Sequence, residues 1–322
     1  MPATWRGCVV AIGNFDGVHR GHQAVLLAAK AEAERRGVAS LMLTLEPHPR
    51  AFFSGRPIFR LTPPPLKGAL AQALGLDGTI VLTFDRALAD QSAQDFVDAL
   101  LVGRLGVAAA VTGPGFRFGK ARQGTAHYLA EQGAEAGFSV IVVDPATDGD
   151  EAVSSTRIRK ALAEGDVETA FRLFGRRHAV VGTVVHGDGR GHGLGYPTAN
   201  IVPDPASELA HGIYAVRVAR ADGNIHDGVA SFGRRPTFGG GDPVLEVFLF
   251  DFSGDLYGEA LLVTFYGFVR GEEHFDSADA LVARMEQDSI EARALLQRLT
   301  PNDLDRRVAE VWAAAAVERQ KA

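Results

Sequence analysis

Residues 9–22 read VVAIGNFDGVHRGH, which joins a short apolar run to a glycine-containing loop and two histidines. The run Val9–Ile12 predicts a strand, and glycines directly after a strand let backbone amides approach a ligand closely. A helix predicted over Gly21–Arg36 would direct the positive end of its dipole into the same loop. His19 and His22 lie on one side of this first turn, where both imidazoles can donate hydrogen bonds to phosphate oxygens. Taken alone, this spacing also fits an ordinary turn with two solvated histidines.

Short apolar runs alternate with helical periodicity through the first half of the chain. Further strands are predicted at Ser40–Leu45, Thr79–Thr83, Ala108–Val111 and Ser139–Val143, and helices near residues 65–75, 92–105 and 156–174. This alternation predicts crossover units around a parallel sheet. Ligands of such sheets bind beyond the carboxyl ends of the strands, so the loops that follow these strands should share one functional edge.

The pattern changes near Gly175, a residue type that favours helix ends. Beyond it, short runs rich in Val and Phe are separated by Gly, Asp and Pro, which predicts an antiparallel barrel or sandwich. These runs are Val180–Val185, Ile213–Ala219, Gly228–Phe232, Leu245–Phe250 and Ala260–Phe265. Helical periodicity returns from Ser277 onward. We therefore predict an α/β domain over residues 1–176 and a β domain with a terminal helix over residues 177–322.

The composition is that of a globular protein with no basic excess. Of 322 residues, 46% are hydrophobic and 22% are charged, with a net charge of -6. This length allows two cores, and the charge argues against a nucleic-acid partner. No run approaches the ~18 apolar residues of a membrane span and no signal peptide is evident, so we expect no membrane association and a cytoplasmic location. Cys8 cannot form an internal disulfide, and its apolar surroundings indicate a core residue.

A second group of phosphate-binding candidates lies at the start of the helix predicted from residue 156. Ser155 or Thr156 would cap this helix, and the same hydroxyl can serve a phosphate. Arg159 supplies a planar fork of N–H donors that matches phosphate oxygens. The alternative interpretation is an ordinary helix cap followed by a solvated arginine.

A glycine-rich stretch, residues 187–200, follows the first strand of the predicted β domain and contains five glycines. Such a loop can fold its amides around phosphates, although it lacks the Gly-Lys-Ser/Thr ending of a Walker loop. Thr198 and Asn200 then offer neutral oxygens that can join phosphates around Mg²⁺. Without these neighbours the stretch would equally fit a surface loop.

Glu246 interrupts an apolar run that extends from Val244 to Phe250. On a strand it would share a face with Val244 and Phe248, and a carboxylate on an apolar face requires an explanation. A general base for an alcohol substrate is one explanation, and a surface carboxylate on an edge strand is the other.

Together these strings resemble the bacterial bifunctional riboflavin kinase/FMN adenylyltransferase (FAD synthetase) family. The matching pieces are Gly13 to His22, Pro47-His48-Pro49, Phe116 to Gly119, Ser154 to Arg159, Gly195 to Asn200, Arg235 to Phe238, Asp251 to Gly258 and the stretch around Arg270 and Phe275. The resemblance covers nearly the whole chain, with the motifs in the family's order. It implies a Rossmann-like nucleotidylyltransferase domain with a parallel sheet, followed by an antiparallel riboflavin-kinase β-barrel.

The resemblance implies two ATP-dependent reactions, with Mg²⁺ as cofactor and with ATP, riboflavin and FMN as substrates. The barrel would phosphorylate riboflavin to FMN, with Glu246 as base for the ribityl hydroxyl and with Thr198 and Asn200 as metal ligands. The N-terminal domain would transfer AMP from ATP to FMN through the catalytic residues His19, His22 and Arg159. ATP and its phosphates would contact Gly13, Asn14, Phe15, Asp16, Gly17, Ser155, Thr156, Gly193, Gly195 and Pro197. The flavin would contact His48, Phe53, Phe118 and Arg270.

Several positions depart from the family pattern. Leu45 stands where Phe is usual, Gly115 where Asp or Asn is usual, and Thr125 where Asp often occurs. Ser231 stands in the barrel where Asn is common. The missing polar side chain at Gly115 removes a hydrogen bond to substrate. This leaves open the alternative that the protein is a riboflavin kinase with weak or absent adenylyltransferase activity. A flavin-binding regulator or carrier without turnover is a further alternative, and the sequence allows a homo-oligomer.

Overall fold

The computed structural model describes residues 2–187, 196–234 and 243–320. The chain divides into two compact units. The first contains Met1–Ile58 and Lys67–Ser154, and the second contains Phe59–Leu66 and Ser155–Ala322. The boundary expected between residues 176 and 177 stays a prediction about where the functional halves separate.

A five-stranded parallel sheet forms the centre of the first unit. The strands of this unit are β1 (Val9–Ile12), β2 (Ser40–Glu46), β3 (Gly78–Thr83), β4 (Ala109–Thr112), β5 (Arg117–Phe118), β6 (Gly124–Thr125), β7 (Ser139–Val142), β8 (Thr147–Asp148) and β9 (Glu151–Ala152). The order across the large sheet is β3-β2-β1-β4-β7. The predicted parallel sheet is therefore confirmed. Its connections change direction between β1 and β4, where open α/β sheets bind ligands.

Helices cover this sheet and connect its strands. They are α1 (Arg20–Arg36), α2 (Pro49–Ser54), α3 (Pro64–Ala73), α4 (Arg86–Asp90), α5 (Ala93–Asp95), a π-helical stretch (Phe96–Leu105) and α6 (Ala126–Ala136). Helix α1 begins one residue before the predicted start and ends at Gly37, which adopts the left-handed conformation. The core between sheet and helices includes Val10, Leu41, Leu101 and Leu129. Burial of these side chains, by the hydrophobic effect, holds the sheet and its covering helices together.

The single helix predicted over residues 156–174 is wrong. Two helices occupy this region, α7 (Ser155–Ala163) and α8 (Val167–Phe174). Gly165 between them has φ 76°, and Asp166 caps α8 by accepting a hydrogen bond from the Thr169 amide at 2.9 Å. A left-handed glycine followed by an aspartate cap ends one helix and starts the next.

A closed barrel of six antiparallel strands forms the second unit. The strands are β10 (His178–Val185), β11 (Ala199–Ile201), β12 (Gly212–Ala219), β13 (Ile225–Arg234), β14 (Pro243–Leu249) and β15 (Ala260–Arg270), in the order β10-β11-β14-β13-β12-β15. Of the two predicted architectures, the barrel is the one present. The sequence analysis missed β11, because a three-residue strand beside a proline is too short for its periodicity to be recognised.

Two helices follow the barrel, α9 (Ala278–Arg298) and α10 (Asp303–Gln320). Leu296 and Ala292 of α9 pack against Tyr266, Phe250 and Ala215 of the barrel. Helix α9 thereby covers an apolar cluster on one side of the barrel. Among the helices within the described ranges, none is both long and apolar enough to cross a bilayer.

Candidate active sites

A cavity of about 980 Å³ lies in the first unit at the carboxyl ends of the parallel strands. Residues that follow β1, β2, β4 and β7 all line it, as predicted from the strand order. They include Gly13, Asn14, Phe15, His48, Gly113, Gly115, Val143 and Asp144. A cavity of this size can hold a substrate as large as a nucleotide.

The loop after β1 adopts a backbone that its side chains do not favour. Phe15 has φ 49° and Val18 has φ 42°, although neither is a glycine and both are fully buried. Left-handed backbone at bulky or β-branched residues persists only where the surroundings enforce it. Part of that enforcement is a hydrogen bond from the buried Thr44 hydroxyl to the Asn14 carbonyl oxygen, 2.9 Å long. The structure therefore holds this loop in a defined shape toward the cavity.

The two histidines of the first motif are in direct contact. His19 is the N-cap of α1, and its Nδ1 accepts a hydrogen bond from the His22 amide at 3.4 Å. The two rings stack with centroids 3.7 Å apart, and Phe15 packs edge-on against His22 at 5.4 Å. Both histidines line the cavity. The alternative of two solvated histidines is wrong, since His19 is 7% exposed.

The His22 imidazole is neutral at pH 7. Burial lowers its pKa well below the usual range, and the charges of His19 and Lys67 lower it further. Its Nδ1 is enclosed and has no hydrogen-bond partner among the described residues. A neutral ring carries one N–H, so His22 can offer one hydrogen bond to a phosphate oxygen without carrying a full charge.

Lys67 is a residue of this region that the sequence analysis missed. Its side chain is 4% exposed, and its Nζ donates hydrogen bonds to Glu46 Oε1 at 2.8 Å and to Thr44 Oγ1 at 3.4 Å. Its position supplied a signal, because Leu70 and Ala71 follow at spacings of three and four on the buried face of α3. A lysine on such a face is rarely left unpaired.

The three flavin candidates of the first unit all line the cavity. His48 caps α2 through its Nδ1, which accepts a hydrogen bond from the Arg50 amide at 3.1 Å. Phe53 is 67% exposed and lies edge-on to Phe84, with ring centroids 5.7 Å apart. Phe118 is buried and stacks on Phe116 with centroids 5.2 Å apart. Phe84 and Phe116 also line the cavity, and neither was among the predicted flavin-binding residues.

The second phosphate motif lies in the second unit. Ser155 is the first residue of α7, so Ser155 and Thr156 occupy the first turn of the helix rather than the position before it. The half-buried Arg159 donates a hydrogen bond from Nε to the Phe59 carbonyl oxygen at 2.8 Å, which argues against the alternative of a solvated arginine. The grouping of these three residues with the histidines of the first unit remains a prediction.

The barrel candidates lie in one row across neighbouring strands. Glu246 of β14 is paired with Asn200 of β11 on one side and with Ser231 of β13 on the other. The row continues through Ile213 to Arg270. Directly paired residues point their side chains to the same face of a sheet, so the row presents its polar groups together.

Glu246 shares a face of β14 with Val244 and Phe248, as predicted, but this is the outer face of the barrel. Leu245 and Val247 point into the barrel and are fully buried, whereas Glu246 is exposed on the outer face. The apolar run is continuous because Val244 and Phe248 share that outer face while remaining partly covered. Strand β14 is paired on both sides, so the surface carboxylate is not on an edge strand either.

Asn200 carries an unsatisfied polar atom. Its side chain is 7% exposed, its Nδ2 donates a long hydrogen bond of 3.4 Å to the Thr198 carbonyl, and no donor among the described residues reaches its Oδ1. A buried oxygen without a partner costs about 1–3 kcal/mol. This oxygen is suited to a cation or a ligand donor. The predicted Pro197 is exposed, while Gly193 and Gly195 lie outside the described residues.

Arg270 is engaged within the protein. Its Nε and one terminal nitrogen donate to the two carboxylate oxygens of Asp288 at 2.8 and 2.7 Å, and Asp288 of α9 is 2% exposed. The guanidinium also lies 5.7 Å from the Phe275 ring centre. This bidentate pair fastens α9 to the end of β15.

Comparison with known proteins gives matches to both halves of the chain. The FAD synthetase family matches residues 1–157, and the riboflavin kinase family matches residues 174–296. A bifunctional riboflavin kinase/FMN adenylyltransferase from Pseudomonas fluorescens is 41% identical over 291 residues, covering 90% of this chain and 93% of the relative. A protein of the same description from Escherichia coli K12 is 38% identical over 292 residues, with the same coverage. A crystal structure described as a macrolide-efflux protein from Streptococcus pneumoniae is 30% identical, with a TM-score of 0.78 over 92% of this chain and 95% of its own.

Proposed function

This chain belongs to the bifunctional riboflavin kinase/FMN adenylyltransferase family, and from that premise we propose that it makes FMN from riboflavin and then FAD from FMN. The observation that carries the proposal is the succession of the two family matches along one chain. Each match contains its own group of candidate residues, one lining the cavity beyond the parallel sheet and one crossing the barrel. Both reactions consume ATP.

In the adenylyl transfer, a phosphate oxygen of FMN attacks the α-phosphorus of ATP, and the bond to the departing pyrophosphate breaks. This step needs no base, because the attacking phosphate is already an anion. Catalysis then depends on alignment and on stabilising negative charge at the reacting phosphorus. The backbone amides after Gly13, the start of α1 and the N–H groups of His19 and His22 suit that task. We also assign Ser155, Thr156 and Arg159 to the phosphates of the ATP used in this reaction.

In the kinase reaction, the terminal ribityl hydroxyl of riboflavin attacks the γ-phosphorus of ATP and ADP leaves. The hydroxyl proton passes to the Glu246 carboxylate as the new O–P bond forms. The exposed position of Glu246 supports this role, since a substrate hydroxyl can reach the carboxylate from outside the barrel. Ser231 and Asn200 flank it in register and can orient the reacting groups.

We assign Mg²⁺ to the kinase site, where Thr198 and Asn200 would hold it together with ATP phosphates. The residues present fit this ion, because Mg²⁺ prefers oxygen ligands and the buried Asn200 Oδ1 has no donor among the described residues. The bound ion would neutralise phosphate charge during transfer.

The flavin of the adenylyl-transfer reaction is assigned to the aromatic side of the cavity. His48, Phe53 and Phe118 line it, and aromatic rings favour offset or edge contacts with a flat heterocycle. For the kinase reaction, the flavin is assigned to Arg270, whose guanidinium is paired with Asp288.

The proposal is tested by incubating the protein with riboflavin and Mg-ATP and separating the flavins by chromatography over time. We expect FMN to appear first and FAD to follow, with one pyrophosphate released for each FAD. Accumulation of FMN alone would favour a riboflavin kinase with weak or absent adenylyltransferase activity, the alternative raised by Gly115. Unchanged riboflavin would contradict both enzymes and favour a flavin-binding regulator or carrier.

We further propose that both reactions take place in the cytoplasm with small-molecule substrates alone, without nucleic acid or membrane. A homo-oligomer is compatible with this scheme. Light scattering coupled to size-exclusion chromatography, with and without flavin and ATP, measures the oligomeric state directly.

A further inference from the structure

Lys67 is a buried cation that the proposed chemistry does not use. Its ammonium group lies 2.8 Å from Glu46 Oε1, with the two side chains 4% and 16% exposed. Replacing a buried ion pair of this kind by apolar residues is often neutral or stabilising, so stability alone does not account for it. A role in the neighbouring site would give a physical reason for a charge at this position.

Two hydrogen bonds connect Lys67 to the loop after β1. Its Nζ donates to Thr44 Oγ1 at 3.4 Å, and the Thr44 hydroxyl donates to the Asn14 carbonyl oxygen at 2.9 Å. A hydroxyl has one proton to donate, and the ammonium can only donate to it. The Thr44 proton is therefore directed to Asn14, which lines the cavity.

The loop requires such support because its backbone is strained. Phe15 follows Asn14 directly and has φ 49°, a conformation that costs of the order of 1–3 kcal/mol for a non-glycine residue. A fixed carbonyl at Asn14 restrains the peptide that leads into this residue. Amides of this loop are the ones assigned to the ATP phosphates.

Lys67 also acts on the first motif through its charge. It contributes to the lowered pKa of His22, after burial and His19. This contribution shows that the ammonium lies within electrostatic range of the imidazole that lines the cavity.

We propose that Lys67 is a positioning residue for adenylyl transfer, which fixes the loop Gly13–Gly17 for ATP through Thr44 and Asn14. The inference rests on the proposed function. Lys67 is absent from the described lining of the cavity, so it acts through these neighbours rather than by touching substrate.

The test measures FAD formation from supplied FMN and ATP in full-length Lys67→Met and Thr44→Val, with Lys67→Arg and Thr44→Ser as conservative controls. We expect Lys67→Met and Thr44→Val each to lower kcat/KM for ATP by roughly tenfold to a hundredfold, because small displacements of positioning groups have effects of this size. The KM for FMN should change less than about threefold. Thr44→Ser should retain most of the activity, and riboflavin phosphorylation by the same samples should be unchanged.

Coupling between the two residues distinguishes positioning from general damage. Residues that act through one chain of contacts have non-additive effects, so Lys67→Met/Thr44→Val should be no worse than Lys67→Met alone. The inference would be overturned if the losses of activity from the two single substitutions multiply in the double variant. A Thr44→Val enzyme as active as wild type would overturn it as well. If Lys67→Met does not fold, the comparison of Thr44→Val with Thr44→Ser decides the question. A wild-type protein that forms FMN but no FAD would instead contradict the proposed N-terminal activity.

Discussion

Glu246 and Asn200 face each other across neighbouring strands of the barrel, one exposed and one buried. This pairing places a carboxylate that can accept a proton beside an oxygen that lacks a donor among the described residues. The two side chains have different chemical tasks in our proposal. The role of Glu246 as the base can be tested by substituting that residue alone.

Glu246→Gln keeps the size of the side chain but removes its capacity to accept a proton. We expect the kinase rate to fall by roughly two to four orders of magnitude with little change in riboflavin affinity. Adenylyl transfer to supplied FMN should be unaffected. His22→Ala is the matched control, since it should abolish FAD formation and preserve FMN formation. Near-normal turnover of riboflavin by Glu246→Gln would remove Glu246 from the mechanism.

Gly115 stands where Asp or Asn is usual in the family, so a substitution can restore the usual polar side chain. Its φ is not in the left-handed region, and a Cβ built on it meets no atom within 4 Å. Gly115→Asp should therefore be accommodated, and it would place a polar side chain at the cavity. We expect FAD formation to rise or stay unchanged, with FMN formation unaffected. A folded variant that loses FAD synthesis would show that this position needs a glycine or a neutral surface.

At the scale of secondary-structure elements, the attachment of α9 to the barrel depends on a buried ion pair. The side chains of Arg270, at the end of β15, and Asp288, in α9, are both largely buried, and their contact is bidentate. Arg284 of α9 adds a contact of 3.5 Å to the same carboxylate. Removing Asp288 would leave the largely buried Arg270 with the Gly271 carbonyl oxygen and the more distant Glu273 carboxylate, 3.8 Å away, as its remaining partners.

Asp288→Ala should lower the free energy of unfolding of the barrel by about 3–5 kcal/mol. The measurement is denaturant unfolding followed by Trp312 fluorescence, since Trp312 is fully buried in α10. Lys160→Ala is the control, because its pair with Glu164 is solvent-exposed and should contribute less than about 1 kcal/mol. Equal effects of the two substitutions would show that the Arg270 pair does not fasten α9.

At the scale of the whole molecule, the structure refines where the kinase half should be cut. Strand β10 starts at His178, but residues just before it are tied to α10. The Arg177 amide donates to Asp305 at 2.9 Å, and Asn302 donates to the Gly175 carbonyl oxygen at 2.9 Å. A fragment that begins at residue 178 retains all six strands of the barrel and loses these contacts.

We expect the fragment from residue 178 to make FMN, because every residue assigned to the kinase reaction lies within it. A fragment from residue 174 should have the same activity and a higher Tm, since it keeps the Gly175 and Arg177 contacts. Neither should form FAD. A well-folded fragment from residue 174 without kinase activity would contradict the independence of the barrel.

Much of the fold could be predicted from local patterns alone. The strand Val9–Ile12, the loop after it and helix α1 follow from an apolar run, glycines and a helical pattern that lie close together in the sequence. The same holds for the alternation that indicates a parallel sheet and for the short runs of the barrel. His19, His22 and His48 were found for this reason, since their motifs lie beside recognisable strand ends.

Tertiary structure decided the features that depend on contacts between distant residues. Lys67 meets Thr44 at a separation of 23 residues, and Asn200 meets Glu246 only because β11 pairs with β14. Barrel closure and the outward direction of Glu246 have the same origin. Periodicity and capping act over a few residues, whereas strand register and burial of a charge are set by the packing of the whole unit.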